Sequence, residues 1–201
     1  MFITFEGIDG SGKSTQIEKL RNRLEEKGAL VDVYRDPGGP VVSEQIREIL
    51  LNPDFEINSV TELLLFSAAR SQLMAENVLP GLKEGKVVIL DRFFDSTTAY
   101  QGYGRESVSL QEIHNLNTIA SHKRKPDVTI YMKLSLTDAK QRMAKIKDRM
   151  ELSGDEFFEK VIAGYNKLAD REDRFFTVDA TEPVSKVHKR IWKHIKKRYE
   201  Y

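Results

Sequence analysis

Short apolar runs alternate with longer segments of helical period along the whole chain. The runs Phe2 to Glu6, Leu30 to Tyr34, Val87 to Leu90, Val128 to Met132 and Phe175 to Val178 read as strands, short and apolar as strands covered on both faces are. Apolar residues recurring every three or four positions predict helices near 14–27, 42–51, 59–79, 109–121, 136–146, 155–170 and 184–199. Strands separated by helices imply βαβ units, so the pattern predicts an α/β fold of three layers with a five-stranded parallel sheet in the middle. No repeat or low-complexity tract interrupts the alternation, and 201 residues fit a single domain over 1–201.

The last predicted helix sharpens the picture of charge. Its sequence, "KVHKRIWKHIKKRYEY", is basic, but Val184, Val187, Ile191, Ile195 and Tyr199 recur at helical spacing. The lysines and arginines therefore read mainly as the solvated face of an amphipathic helix, against the alternative of a nucleic-acid contact. Lys and Arg total 32 against 31 Asp and Glu, and a net charge of +1 supplies no general field for a polyanion. The reading is of no nucleic-acid partner. No apolar stretch is long enough for a membrane helix, no targeting segment is evident, and the chain has no cysteine. A cytoplasmic enzyme with no membrane partner is the expectation. The four histidines, His114, His122, His188 and His194, show no metal-ligand spacing.

The candidate chemistry begins directly behind the first strand, at "GIDGSGKST" over residues 7–15. Gly7, Gly12, Lys13 and Ser14 fit G-x-x-x-x-G-K-[ST], the loop that cradles phosphates. Glycines let the backbone turn and bring amides up to an anion, the following helix points its N-terminal N–H groups at the same place, and lysine adds charge. Gly7, Asp9, Gly10, Ser11, Gly12, Lys13, Ser14 and Thr15 form the expected nucleoside-triphosphate-binding set, with Ser14 offering a hydroxyl to Mg²⁺. The bland alternative is a glycine turn carrying a surface lysine. A strand before the motif and a helix after it favour the phosphate loop.

A second constellation follows the strand "VVIL", where "DRFFDSTTAYQGYGR" brings Asp91 and Arg92 to the carboxyl end of the sheet. Ligands of open α/β sheets bind there. Alone, an Asp-Arg pair is usually a surface ion pair. Beside a phosphate loop, Asp91 suits the Mg²⁺ shell, and Arg92 is the extra cation that two facing phosphoryl groups require.

Here the sequence resembles the thymidylate kinase family. The motifs "FEGIDGSGKSTQ", "RDPGG", "LLLFSAARSQL", "ILDRFFDSTTAYQ" and "AYQGYGR" occur in that family's order, and the resemblance runs from Phe2 to about Ala180. It implies a P-loop fold with a mobile lid near 142–154 and transfer of the γ-phosphoryl of MgATP to dTMP, giving dTDP and ADP. The implied dTMP set is Asp9, Arg35, Pro37, Phe66, Arg70, Arg92, Ser96, Thr97, Tyr100 and Gln101. In similar enzymes Phe66 would stack on thymine and Arg70, on the same helix face at i+4, would bond its carbonyl edge. A core Phe66 and a rim Arg70 are the alternative, but an arginine buried in "LLLFSAARSQLM" needs a partner. Thr97 would meet the pyrimidine N3 side, Tyr100 would crowd the sugar 2′ position, Gln101 would close over the base, and Asp9 would lie near the 3′-hydroxyl and the acceptor phosphate.

Two departures bear on the site. The family loop "REPGGT" reads here Arg35, Asp36, Pro37, Gly38, Gly39, Pro40, so the carboxylate is one methylene shorter. Residue 97 varies within the family, which leaves selectivity among pyrimidines open. The phosphate loop holds no arginine, and the resemblance implies that a lid supplies it from "RMAKIKDRMELSGDEFFEKV", with Arg149 first and Arg142 second among the catalytic residues beside Lys13, Asp9 and Arg92. A solvated helix face is the alternative for Arg142, Lys145 and Arg149. The segment "TVDATEPVSKV" resembles the adenine-contacting loop, placing ATP near Ala180. The resemblance further implies a homodimer. A related kinase acting on dUMP or a deoxynucleoside, and an ATP-binding regulatory module, are the other readings.

Overall fold

All five predicted strands form, and every neighbouring pair is parallel. The computed structural model describes residues 1–142 and 149–199. The strands β1 (Phe2–Glu6), β2 (Val31–Arg35), β3 (Val87–Asp91), β4 (Val128–Lys133) and β5 (Phe175–Asp179) lie in the order β2-β3-β1-β4-β5. The central β1 is buried along its whole length, whereas the edge strand β2 is mostly half-buried and the edge strand β5 fully buries only Val178.

Period two divides β1 into two faces. Ile3 and Phe5 join Ile89, Val128 and Ile130 in the larger core, beneath helix α1 (Lys13–Glu25) and helix α9 (Val184–Tyr199). Phe2 turns the other way and packs with Val88, Leu90 and Phe93. Thr4 and Glu6 point the same way as Phe2 and set buried polar groups beside that apolar cluster: Thr4 and Thr129 hydroxyls lie 2.9 Å apart. Helix α9 buries Val187, Ile191 and Ile195, as the spacing predicts, while Val184 is exposed. Trp192 lies under the Arg23 guanidinium at 5.3 Å, so the basic segment is anchored to α1.

The remaining helices are α2 (Val41–Leu51), α3 (Ser59–Leu73), α4 (Leu79–Lys83), α5 (Phe94–Thr97), α6 (Leu110–Ala120), α7 (Leu136–Arg142) and α8 (Asp155–Arg171). The predicted helix 59–79 is two helices joined by a π-helical stretch, Met74–Val78. Pro80 gives the cause: it has no N–H and its ring crowds the carbonyl of residue 76, and the wider turn relieves both. Of the predicted helix 136–146, the part beyond Arg142 lies outside the described residues.

One helical segment carries no apolar period and the sequence does not signal it. Residues 94–97 form α5, which runs on as a π-helical strap, Thr98–Gly104, ahead of α6. Tertiary packing holds it. A Cβ on Gly104 would lie 2.6 Å from the Phe157 ring on α8, so glycine permits the contact. This strap carries Ser96, Thr97, Tyr100 and Gln101, all buried. No described helix is long and apolar enough to cross a membrane.

Candidate active site

The phosphate loop leaves β1 at Gly7, where a Cβ would meet the Met132 carbonyl oxygen of β4 at 2.7 Å. Only glycine fits that approach. Gly12 stands at the start of α1 with no side-chain cap, so the first N–H groups of the helix are left for an anion. Lys13 Nζ donates to the Gly7 and Ile8 carbonyls at 3.0 and 3.3 Å and lies 3.7 Å from the Asp9 carboxylate. Burial, with Arg92 close by, lowers its pKa, a cost that a phosphate at this position would reverse. Ser11 Oγ is buried with no partner. Gly10, Gly12, Lys13, Ser14, Thr15, Asp91 and Arg142 line the cleft above the loop, and Ser14 Oγ donates to Asp91 Oδ2 at 3.3 Å.

Arg92 sits in the left-handed region with φ of 70°, an uncommon conformation for a bulky residue and one found at functional sites. It turns the guanidinium back over β1: Nη1 donates to the Gly7 carbonyl at 2.9 Å and Nη2 to Asp9 Oδ1 at 2.7 Å. Burial favours the neutral acid at Asp9, but Arg92 and Lys13 outweigh it and hold the carboxyl down at about 2. One anion and two cations are thus fixed at the end of the central strand.

Beside this centre lies a second cleft, small and lined by both polar and apolar side chains. Of the residues expected for dTMP, Asp9, Pro37, Phe66, Arg70, Arg92, Ser96, Thr97, Tyr100 and Gln101 all line it. Thr97 Oγ1 is buried there without a hydrogen-bond partner, which in a lined cavity is a place for a ligand's polar atom. Gln101 Nε2 donates to Glu62 Oε1 at 2.9 Å. Arg35 stands apart: it lines the phosphate-loop cleft, not this one, and is paired with Glu44 at 2.8 Å.

The shortened loop carboxylate has a definite place. Asp36 is buried, and Arg70 Nε donates to its Oδ2 at 2.5 Å, while Arg70 Nη1 reaches Asn117 Oδ1 at 3.4 Å. This is the partner that an arginine inside an apolar helix requires. Burial pushes the Asp36 carboxyl up, and Arg70 opposes it.

Sequence reasoning missed Arg47 on α2. Its Nη1 donates to the Pro37 carbonyl at 2.9 Å, and it lines both clefts. A signal existed: Arg47 falls at i+4 from Ser43 and three before Leu50, both buried, which puts a cation on the inward face of the helix. Leu51 and Met150 complete the cleft wall.

The two arginines expected from the lid are placed differently. Arg142, the last residue of α7, lines the phosphate-loop cleft and donates from Nη1 to the Ala180 carbonyl at 2.9 Å, in the loop expected to contact adenine. Arg149 is not among the residues lining that cleft. Its Nη2 is paired with the buried Glu62 of α3 at 2.7 Å and its Nε donates to the Leu50 carbonyl at 2.7 Å. Lys145 and Lys147 lie outside the described residues.

A parallel sheet with a phosphate loop between β1 and α1, and a second pocket walled by the same cations, defines a P-loop phosphotransferase. The sequence profile of the thymidylate kinase family matches residues 5–191. The chain is 48% identical to thymidylate kinase of Chlorobaculum parvum, over 95% of this chain and 93% of that one. It is 43% identical to thymidylate kinase of a Thermoanaerobacter species, over 98% and 97% of the two chains. The crystal structure of thymidylate kinase from Ehrlichia chaffeensis superposes with a TM-score of 0.80 at 32% identity, covering 98% of both chains. The chain belongs to the thymidylate kinase family.

Proposed function

We propose that the chain transfers the γ-phosphoryl group of MgATP to dTMP, giving dTDP and ADP. The single observation that carries this reading is that the phosphate-loop cleft and the Phe66 cleft share Asp9, Asp36, Arg47 and Arg92. A nucleotide in each would turn its anionic end to the same four residues. In the reaction, an oxygen of the acceptor phosphate forms a bond to the γ-phosphorus in line, and the bond from that phosphorus to the bridging oxygen of ADP breaks. Lys13 and the amides at the start of α1 stabilise the donor phosphates, Arg92 and Arg47 the acceptor phosphate, and Arg142 the charge on the transferred group. Phe66 offers a face to the pyrimidine, Thr97 and Gln101 its polar edge, and Tyr100 closes the sugar end.

Among the described residues no three His, Cys, Asp or Glu side chains form a metal site of their own. The Ser14 hydroxyl and the Asp91 carboxylate, 3.3 Å apart, are hard oxygen groups that suit Mg²⁺ held chiefly by phosphates and water. When bound, the ion neutralises phosphate charge. The test is ADP release with a panel of acceptors. dTMP should give the highest kcat/KM, ahead of dUMP and thymidine; a preference for either of the others, or ADP release indifferent to all three, would remove this assignment.

We also read the chain as a cytoplasmic homodimer. Val60 and Leu64 on α3, Ile49 on α2 and Ile119 on α6 are exposed, on helices that neighbour one another, a pattern that fits a subunit contact. Sedimentation should give twice the chain mass, and Leu64→Glu should shift it to that of one chain; a monomeric wild type refutes the pairing.

A further inference from the structure

We propose that Glu6 is a positioning residue for the acceptor side of the reaction, acting on Arg92 through the hydroxyls of Ser96 and Tyr165. This rests on the kinase reading above. Glu6 is the last residue of β1, fully buried on the same face of the sheet as Thr4. Burial, with Asp95 close by, pushes the Glu6 carboxyl up to about 8, and donors that replace the solvent favour its ionised form. Three donors do so. The Phe93 amide donates to Oε1 at 2.8 Å, and Ser96 Oγ and the Tyr165 hydroxyl reach Oε2 at 2.6 and 3.0 Å.

Those donors bring together three elements: β1, the turn into α5, and α8. The two hydroxyls lie 2.8 Å from each other, and each lies 3.4 Å from Arg92 Nη1. Direction matters in this arrangement. A hydroxyl has one proton, and a carboxylate that accepts it leaves the oxygen lone pairs facing the guanidinium, which can only donate. Glu6 thereby makes Ser96 and Tyr165 acceptors for Arg92 without touching it. The same carboxylate, through the Phe93 amide, holds the residue that follows the left-handed Arg92. An amide at position 6 would present an NH₂ toward the hydroxyls and turn their protons toward Arg92, setting donor against donor.

The isosteric Glu6→Gln variant tests this in two readouts. Steady-state kinetics should show KM for dTMP raised about tenfold and kcat/KM for dTMP lowered by about 10²-fold, the loss expected of a misplaced reacting group, with KM for ATP within about twofold. In the substrate-free protein, the Arg92 guanidinium resonances in ¹⁵N–¹H spectra should pass from resolved, hindered Nη signals to averaged ones. Tyr165→Phe, which removes one relay hydroxyl and keeps the ring, should shift both readouts in the same direction by a smaller amount, and it decides the matter if Glu6→Gln does not fold. Unchanged Arg92 signals with unchanged KM for dTMP would overturn the proposal, as would equal losses toward ATP and dTMP, the mark of a purely structural role. Should the wild type not phosphorylate dTMP, the spectra alone decide the role of Glu6, and the failure belongs to the kinase reading.

Discussion

Arg142→Ala should lower kcat by about 10³-fold or more while leaving KM for dTMP within about threefold. Phosphoryl transfer spreads negative charge over the moving group, and a guanidinium aimed at that charge acts on the transition state far more than on bound substrate. Arg142, at the end of α7, lines the phosphate-loop cleft and is anchored to the Ala180 carbonyl at its side. Arg149→Ala should behave in the opposite way. It strips the buried Glu62 of its 2.7 Å partner, leaving Arg105 at 3.4 Å, so the fold should lose about 3 kcal/mol and the Gln101 contact should loosen. Kinetics and thermal denaturation of the two variants separate the roles. A kcat collapse confined to Arg149→Ala would exchange them.

Arg70→Met should destabilise the protein by about 3–5 kcal/mol, a fall in Tm of roughly 6–20 °C for a chain of this size. The substitution keeps the volume of the stem and removes the cation that faces Asp36 at 2.5 Å, in a pair with almost no exposure on either side. An uncompensated carboxylate then remains in the core. With its folded pKa raised above the unfolded value, Asp36 is tolerated when protonated and costs stability as the pH rises through the folded pKa, so the deficit should be larger at pH 8 than at pH 5. Asp36→Asn added to Arg70→Met should recover part of the stability without restoring dTMP affinity, because Arg70 also lines the Phe66 cleft. A double variant no more stable than Arg70→Met would locate the effect elsewhere than in the lost pair.

The sheet was legible because doubly covered strands announce themselves as short apolar runs, and all five occur within a residue or two of their predicted bounds. The phosphate loop was legible because its chemistry is local: amides, glycines and one lysine within nine residues. The strap 94–104 was not, since what holds it is distant packing against α8 and hydrogen bonds to Glu6, while its own sequence carries two glycines and no apolar stripe. Arg47 escaped for a related reason. Its value lies in meeting Pro37 and two clefts from a helix whose exposed apolar residues draw attention to its other face. The choice between Arg142 and Arg149 turned on tertiary partners, Ala180 for one and Glu62 for the other, that lie 38 and 87 residues away in the chain.

The central claim is that two nucleotides present their phosphates to one shared set of charges made by Asp9, Arg47 and Arg92. A crystal structure with an adenosine–thymidine oligophosphate, in which both halves are covalently joined, tests it most directly. The account predicts adenosine near Ala180, thymine against the Phe66 ring, and the phosphate chain running between Lys13 and Arg92. Thymidine seated outside the Phe66 cleft, with Arg92 still closed on Asp9 and no phosphate beside it, would contradict it.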